Sequence, residues 1–397
     1  MKKTVIIPDY YKAFRCAAAS CPETCCRGWD ISVEPETVKK YKRLKSEGFD
    51  FQGGVDFLRG RIRMKETGCP FLEHGLCRIQ QSLGEKYLCR TCRSYPRHGE
   101  DYGGRREWSL SLSCPEAAKL VLRQQDGLKL REYVLEEGEE EEFLSCLLKA
   151  RELMFAFLSA CSRPLKYRMA MALTLAHDLQ PFVKRAFQSE NSGGSESLRC
   201  IKERLRRYEL LQTSSGYQWF LKKISRWENR PEERYDSMAG VLGSLGKLPD
   251  IYPGFGSMVS EWMDVLYRTE NGYEDYRKII AGAGFDFGEE ESPDLGILYQ
   301  NLVFSLFYVY VPGAVYDGEL YSKVKMVLFF MLCVREAYGA AAAREEEKKG
   351  TEELFITLVF RFSRQIEHSD QVLEQIEQMV MRQKHFQLEG FLINLLN

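Results

Sequence analysis

The cysteines are the residues of this chain best suited to chemistry, and most of them lie near its N-terminus. Nine of the thirteen lie within residues 1–114, and they are Cys16, Cys21, Cys25, Cys26, Cys69, Cys77, Cys89, Cys92 and Cys114. The other four are spread over the remaining length, at Cys146, Cys161, Cys200 and Cys333. A core that used cysteine only as a small apolar residue would not concentrate it in this way. The N-terminal third therefore has a function that needs thiolates.

The spacing of these cysteines indicates a metal site. They form short-spaced groups in separate segments, namely Cys16-x4-Cys21-x3-Cys25-Cys26, Cys69-Pro-x6-Cys77 and Cys89-x2-Cys92, with Cys114 following. Soft thiolates suit iron–sulfur clusters and zinc. Zinc-finger spacing is not met, because only one CxxC pair is present, and radical-SAM spacing fails where Gly28 takes the third position. We expect an iron–sulfur cluster, with zinc, or a set of free cysteines without metal, as alternatives.

Other residues of this segment could support such a site. Arginines lie beside the cysteines, at Arg15, Arg27, Arg78, Arg90, Arg93 and Arg97. Their charge would lower thiol pKa values and offset the negative charge of a thiolate cluster. His74 and His98 could ligate metal, although exposed loop positions fit them better. Glu107 and Trp108 could line the site or serve only in packing.

Length and charge limit the classes of protein that remain. A chain of 397 residues can form two or three domains. Residues 1–132 contain 25 Lys+Arg and 17 Asp+Glu, whereas the rest contain 31 and 40, so a basic segment precedes an acidic one. No nucleic-acid-binding motif accompanies the basic residues. The N-terminal apolar run is too short for a signal peptide, and other apolar runs are too short for a bilayer. We therefore expect a cytoplasmic protein with neither nucleic acid nor membrane as partner.

The hydrophobic pattern divides the chain into two unlike parts. We place the boundary at 132/133, before the acidic run Leu135–Glu142, with a metal-cluster domain over residues 1–132 and a helical domain over residues 133–397. Apolar residues recur every three or four positions in nine later segments, which predicts helices. These segments are Glu142–Ser162, Leu165–Gln188, Ser197–Thr213, Tyr217–Trp227, Ser257–Arg268, Leu295–Val311, Tyr321–Tyr338, Glu352–His368 and Val372–Phe386.

The first part has weaker patterns. We expect loops around the cysteines over residues 1–30, a helix within Asp30–Gly48 and a hairpin within Phe49–Met64. Cys69–Cys114 is expected to be irregular, and Pro115–Asp126 to begin a helix with proline in its first turn. The predicted fold is thus mainly α, with an irregular cysteine-rich domain followed by an all-helical body.

The sequence gives no clear signal for a nucleotide-type cofactor site. The glycine-containing segment Ile279–Gly288 lacks the strand that a Rossmann loop needs, so a solvent loop is the better interpretation. Aromatic side chains recur on two predicted helices and are expected in the core; the alternative is a cage for a methylammonium or sulfonium ion. They are Phe304, Phe307, Tyr308, Tyr310, Phe329 and Phe330. His177 is expected on a helix face or in the core.

The cysteine blocks, read in order, resemble a known family. FRCAAASCPETCCRGWDI, CPFLEHGLCRIQ, CRSYPR and SLSCPEAA are similar to the flagellin lysine-N-methylase family over residues 9–122. A shorter part of the pattern resembles a wider group of cysteine-cluster proteins that are described as zinc- or iron-chelating. Trp29, the SCPEAA block and the long helical body favour the methylase family.

The resemblance implies an activity and a ligand set. It implies methyl transfer from S-adenosylmethionine to lysine side chains of flagellin, in a protein that holds an iron–sulfur cluster, expected to be 4Fe–4S. The family's cysteines correspond to Cys16, Cys21, Cys25, Cys26, Cys69, Cys77, Cys92 and Cys114. Cys89 falls outside that pattern and is expected to be an accessory thiol. The alternative function is a non-enzymatic metal-cluster binding or assembly module that recruits a partner protein. The sequence identifies neither catalytic nor cofactor-binding residues.

Overall fold

The computed structural model places all the strands in the first part of the chain. It describes residues 3–397 apart from 28, 30, 66, 67, 126, 139, 140, 190–192, 284–292 and 345–350. The strands are β1 Lys3–Pro8, β2 Val55–Asp56, β3 Arg61–Ile62, β4 Leu72–Glu73, β5 Leu76–Cys77, β6 Arg97–Tyr102, β7 Arg105–Leu110 and β8 Leu130–Glu136. Four helices accompany them, α1 Pro35–Ser46, α2 Arg78–Leu83, α3 Arg90–Ser94 and α4 Pro115–Leu122. We call residues 3–136 the cysteine module.

A four-stranded mixed sheet holds the two ends of the cysteine module together. Its order is β6-β7-β1-β8, and β1 is parallel to β7 but antiparallel to β8. Alternate residues of β1 are buried, so one face of the strand packs on the core. Gly103 and Gly104 make the turn between β6 and β7, where positive φ angles of 63° and 126° favour glycine.

This sheet corrects two predictions and leaves one untested. The expected loop over residues 1–30 begins with β1, and the expected irregular segment Cys69–Cys114 contains the β6–β7 hairpin. The strand β1 was missed because it pairs with residues about a hundred positions away. The hairpin was missed because β6 carries charges on both faces. The predicted boundary at 132/133 falls inside β8, and it stays a prediction.

The rest of the cysteine module follows the expected pattern. The helix α1 lies within Asp30–Gly48 and has Pro35 at its first position, and β2 and β3 form the expected short hairpin. These elements pack around a small apolar cluster in which the rings of Tyr41 and Phe51 lie 4.9 Å apart. The Tyr41 hydroxyl donates a hydrogen bond of 2.8 Å to the carbonyl oxygen of Tyr87. The helix α4 confirms the predicted start at Pro115.

Residues 142–397 form helices and, where the structure describes them, no strand. They are α5 Glu142–Leu158, α6 Leu165–Gln188, α7 Gly193–Glu209, α8 Ser214–Ile224, α9 Pro231–Leu245, α10 Phe255–Leu266, α11 Tyr273–Gly282, α12 Pro293–Tyr310, α13 Leu320–Arg344, α14 Thr351–Glu367, α15 Asp370–Arg382 and α16 Leu388–Leu396. All the helices predicted here are confirmed within a few residues. The helices α9, α11 and α16 were not predicted, because α9 contains two glycines and the other two are short. We call α5–α16 the helical body.

The centre of the helical body is the helix α13, which is buried on almost all sides. Segments Leu295–Val315 and Leu320–Arg344 are long and apolar enough to cross a membrane by length and composition. Protein nevertheless buries 72% and 83% of their most apolar windows, which is typical of core helices. Phe307 and Phe329 are fully buried here, so the expectation that the aromatic stripes pack in the core holds for them.

Candidate functional site

All eight cysteines of the predicted ligand set line one cavity. The cavity has a volume of about 510 Å³ and lies within the cysteine module, with Arg364 of the helical body in its wall. Its thiols come from separate segments: the irregular chain after β1, the ends of β4–β5, the helix α3 and the residue before α4. They are Cys16, Cys21, Cys25, Cys26, Cys69, Cys77, Cys92 and Cys114. Cys89 is buried and lies against Cys92 instead of lining the cavity. We call this space the cysteine cavity.

The thiols of the cysteine cavity fall into two neighbouring groups that meet at Cys25 and Cys26. Electrostatic interactions link one group, Cys16, Cys21, Cys25 and Cys114. They also link a second group, Cys26, Cys69, Cys77 and Cys92, and the buried Cys89 lies against Cys92. As the side chains stand, no three metal-binding groups in the described chain are close enough to hold a metal ion. The number and type of donors nevertheless match what two four-thiolate sites require.

Burial and hydrogen bonding control the charge of these thiols. The pKa of Cys26 is lowered because its thiolate accepts hydrogen bonds from Cys25 and Cys69, whose own pKa values are raised. Burial raises the pKa of Cys114 to about 11. Cysteines that repel one another and resist ionisation in this way gain from a cation that neutralises them. The chemistry of the donor set therefore fits a thiolate-bound metal or cluster.

The arginines near the cysteines do not all act as predicted. Arg15, Arg93 and Arg97 line the cysteine cavity, whereas Arg78 pairs with Glu73 at 3.1 Å. Arg27 and Arg90 line neighbouring cavities. The charge of Arg364, on α14, contributes to the lowered pKa of Cys26 and opposes the rise that burial causes in the pKa of Cys21. Sequence spacing could not reveal Arg364, because it comes from the helical body.

The other sequence candidates lie outside the cysteine cavity. His74 is exposed in a turn, and His98 lies 3.3 Å from Glu100. His177 is on the surface of α6, edge-on to the ring of Tyr321 at 5.2 Å, as expected for a helix-face residue. Glu107 is buried and forms an ion pair of 2.6 Å with Arg151, so it joins the sheet to the helical body.

Two further candidates have different outcomes. Trp108 covers Gly99 in the β6–β7 hairpin, which is a packing role. Of the glycine segment Ile279–Gly288, the first residues end α11, and residues 284–288 lie outside the described chain.

A second cavity lies between the cysteine module and the helical body, and its polar groups were not predicted. Its volume is about 410 Å³, within the range of small-molecule sites. Trp29 and Tyr95 separate it from the cysteine cavity, since both residues line both spaces. Tyr310 of α12 and Glu367 at the end of α14 line its other side, and His368 follows. We call it the junction cavity.

Five polar side chains form a connected network beside the junction cavity. The hydroxyl of Ser111 donates to the Glu367 Oε2 at 2.5 Å, and it also lies 2.5 Å from the hydroxyl of Ser113. His368 Nε2 and the Tyr95 hydroxyl lie 2.9 Å and 3.0 Å from the same Ser113 oxygen. The His368 ring stacks on Trp29, with centroids 4.7 Å apart.

Burial shifts both titratable groups of this network toward their neutral forms. It raises the pKa of Glu367 to about 7, against the opposing effect of hydrogen bonds from Ser111 and Ser363. Burial and the nearby charge of Arg364 lower the pKa of His368 to about 4. Near neutral pH the carboxyl group can therefore take up or release a proton, whereas the imidazole is uncharged. Carboxyl groups with such pKa values are typical of sites that transfer protons.

Sequence reasoning missed Glu367 and His368 for a definable reason. Both lie in the predicted helix Glu352–His368, where a glutamate and a histidine near a helix end resemble ordinary surface residues. Their environment arises only when Ser111 and Ser113 pack against the helical body.

Comparison with known proteins identifies the helical body. A sequence model of the FliB lysine N-methylase C-terminal domain matches residues 151–394. Similar proteins include the flagellar biosynthetic protein FliU of Salmonella muenchen and lysine-N-methylases of Salmonella choleraesuis and Salmonella typhimurium. Each is 36% identical in an alignment of 140 residues that covers 32% of this chain. The match covers 83% of FliU but 35% of each lysine-N-methylase. No solved structure matches the chain.

Proposed function

Because the chain belongs to the FliB lysine N-methylase family, we propose that it transfers methyl groups from S-adenosylmethionine to lysine side chains of flagellin. We propose further that the cysteine module holds an iron–sulfur cluster, of the 4Fe–4S type, and that the reaction takes place in the cytoplasm. The observation that carries the cluster proposal is the convergence of eight cysteines on one cavity. The flagellar name of one relative supports flagellin as the substrate.

The reaction sets requirements that this chain's residues can meet. The lysine amine must be neutral to attack the methyl carbon, although its ordinary pKa is about 10.4. The enzyme must therefore remove a proton, exclude water and hold donor and acceptor in line. An aromatic wall beside a cysteine cavity suits a sulfonium and an ammonium ion, because both are attracted to the faces of aromatic rings.

Each of the two cysteine groups supplies the four thiolates of one site, and a 4Fe–4S cluster needs one such site. Cys16, Cys21, Cys25 and Cys114 would hold one site, and Cys26, Cys69, Cys77 and Cys92 the other. Bound iron would offset the negative charge of the thiolates next to the junction cavity. Trp29 lies between the two cavities, and its indole N–H donates a hydrogen bond of 2.7 Å to the carbonyl oxygen of Cys25.

A methyl-transfer assay tests this function. Protein purified without oxygen is incubated with flagellin and S-adenosylmethionine, and intact flagellin is weighed by mass spectrometry. We expect a series of single-methyl mass steps, placed on lysines by peptide mapping. Unchanged flagellin with cluster-replete protein would contradict the proposal and favour a non-enzymatic metal-cluster module.

A further inference from the structure

The junction cavity contains a group that the proposed reaction needs and that the sequence did not reveal. The substrate must lose a proton before it attacks, so a proton acceptor must lie where the amine enters. Of the described residues that line this cavity, Glu367 alone has a carboxyl group. It lies at the C-terminal end of α14. It is half-buried, and the Ser111 hydroxyl fixes one of its oxygens.

We propose that the junction cavity is the acceptor-lysine site and that Glu367 accepts the proton of the lysine ammonium. This inference rests on the proposed function and specifies the site at which it occurs. The aromatic rings of Trp29, Tyr95 and Tyr310 line the same cavity and would hold the alkylammonium through their faces.

The steps balance in atoms and charge. The lysine ammonium gives one proton to the Glu367 carboxylate and becomes a neutral amine. The amine nitrogen then forms a bond to the methyl carbon while the carbon–sulfur bond of the sulfonium breaks, and the bonding pair returns to sulfur. The products are a methylammonium group, a neutral thioether and a protonated Glu367, which returns its proton to water.

The surroundings of Glu367 support this role. Tyr310 from α12 interacts with it electrostatically, and Arg364 lies three positions before it on α14. From the cysteine module, Tyr95, Arg97 and His98 line the same cavity. Burial raises the pKa of Glu367 to about 7, so a useful fraction is ionised at neutral pH.

The neighbouring His368 fits the arrangement as a positioning residue. Its imidazole is uncharged at neutral pH, because its pKa is about 4, and so it does not repel an incoming cation. Its Nε2 holds Ser113, which in turn holds Ser111 against Glu367. Its buried Nδ1 has no hydrogen-bond partner in the described part of the chain, so this nitrogen can still form a hydrogen bond with a ligand.

The test compares Glu367→Gln with the wild-type protein across pH, under single-turnover conditions with flagellin. The amide keeps the size of the side chain but accepts no proton. We expect the methylation rate near pH 7 to fall roughly 10²- to 10⁴-fold, the usual contribution of a general base. The wild-type rate should rise with pH through a midpoint of about 7. The rate of the variant should rise only toward the pKa of the free amine.

Two controls keep the outcome specific. Glu353→Gln makes the same change on an exposed carboxylate of α14 that pairs with Arg123, and it should keep the wild-type rate and pH profile. Glu367→Asp, which retains a carboxylate, should recover part of the rate lost in Glu367→Gln. Metal content should match the wild type in all variants, and melting temperatures recorded at each assay pH should show that every variant is folded.

The results separate this inference from the proposed function. An active wild-type protein with a Glu367→Gln variant of the same rate and pH profile would overturn the assignment of Glu367 and leave the function standing. A wild-type protein that transfers no methyl group would overturn the function, and the assignment of Glu367 would fall with it.

Discussion

The cysteine module and the helical body are stabilised in different ways. The body surrounds α13 with apolar side chains from many helices and forms one continuous core. The cysteine module has a small separate core around Tyr41 and Phe51, and its helix α4 packs into the core of the body. Its largest sheet joins the two ends of the module. Burial of apolar surface is the main source of folding stability, and most of the buried apolar side chains lie in the body.

This difference assigns separate tasks to the two regions. The body can be rigid without a ligand, whereas the module surrounds a cavity of thiols whose mutual repulsion a metal would relieve. The candidate catalytic groups lie where the regions meet, with hydroxyls from the module and Glu367 from the body. A site assembled in this way works only when the module is folded and docked.

The largest expected effect comes from removing a thiol of the module. Cys26 lies at the contact between the two cysteine groups. Cys26→Ala should lose bound iron and sulfide, because the cluster would lack a ligand. Its methylation rate should fall by at least ~100-fold. Iron analysis and the methyl-transfer assay measure both effects.

The matched variant removes a thiol from the body. Cys161 is exposed, and Cys161→Ala should keep the metal content and the activity of the wild type. If Cys26→Ala also retained both, the module would not depend on its thiols and the contrast between the regions would be lost.

A charge pair within the core of the body should matter for stability alone. Arg234 bonds to Glu336, and both side chains are almost completely buried. Replacing Arg234 by Met leaves Glu336 without its cation and should lower the free energy of unfolding by about 3–5 kcal/mol. Urea unfolding measures this loss, and metal content per folded molecule should not change. Arg277→Met, at an exposed pair with Glu274, should cost less than about 0.5 kcal/mol. If the two variants lost equal free energy of unfolding, the buried pair would not stabilise the body more than an exposed pair, and the body would not be rigid without a ligand.

The docking of the module on the body depends on Glu23. Its carboxylate lies 3.1 Å from Arg361 and 3.4 Å from Arg364, and it accepts the hydroxyl of Tyr252 at 2.9 Å. Glu23→Gln should weaken docking by about 1–2 kcal/mol, because charge-assisted hydrogen bonds are lost. Limited proteolysis should then cleave the module faster while the body persists. Glu47→Gln changes an exposed pair at the end of α1 and should be cleaved at the wild-type rate. Faster cleavage of this variant too would argue against a specific docking contact.

The smallest expected effect is a pH dependence of stability at the junction. Glu367 binds its proton more tightly in the folded chain, so its contribution lowers stability as pH rises from about 4.5 to about 7. His368 resists protonation in the folded chain, so stability is lost as pH falls from about 6.5 to about 4. These opposite slopes partly cancel in the wild-type protein.

Single variants should reveal the two slopes separately. In Glu367→Gln, stability should rise with pH between about 4 and 6.5, because only the His368 contribution remains. In His368→Gln, stability should fall as pH rises from about 4.5 to about 7. Unfolding by urea at a series of pH values measures both, and slopes of the same sign would contradict the burial of these groups.

Sequence reasoning succeeded where the information was local. The body's helices follow from apolar residues at every third or fourth position, and the family blocks around Cys16–Cys26 and Cys69–Cys77 carried the resemblance. The sheet was missed because β1 and β7 pair across the length of the module. Arg364, Glu367 and His368 were missed because only docking places them against Ser111 and Ser113.

The central claim is that the thiols of the cysteine cavity hold an iron–sulfur cluster beside the junction cavity. Its most direct test is the iron, sulfide and zinc content, with the visible spectrum, of the full-length protein purified without oxygen. We expect a brown protein with broad visible absorbance and matching amounts of iron and acid-labile sulfide. A colourless protein with stoichiometric zinc, or with no metal, would contradict it.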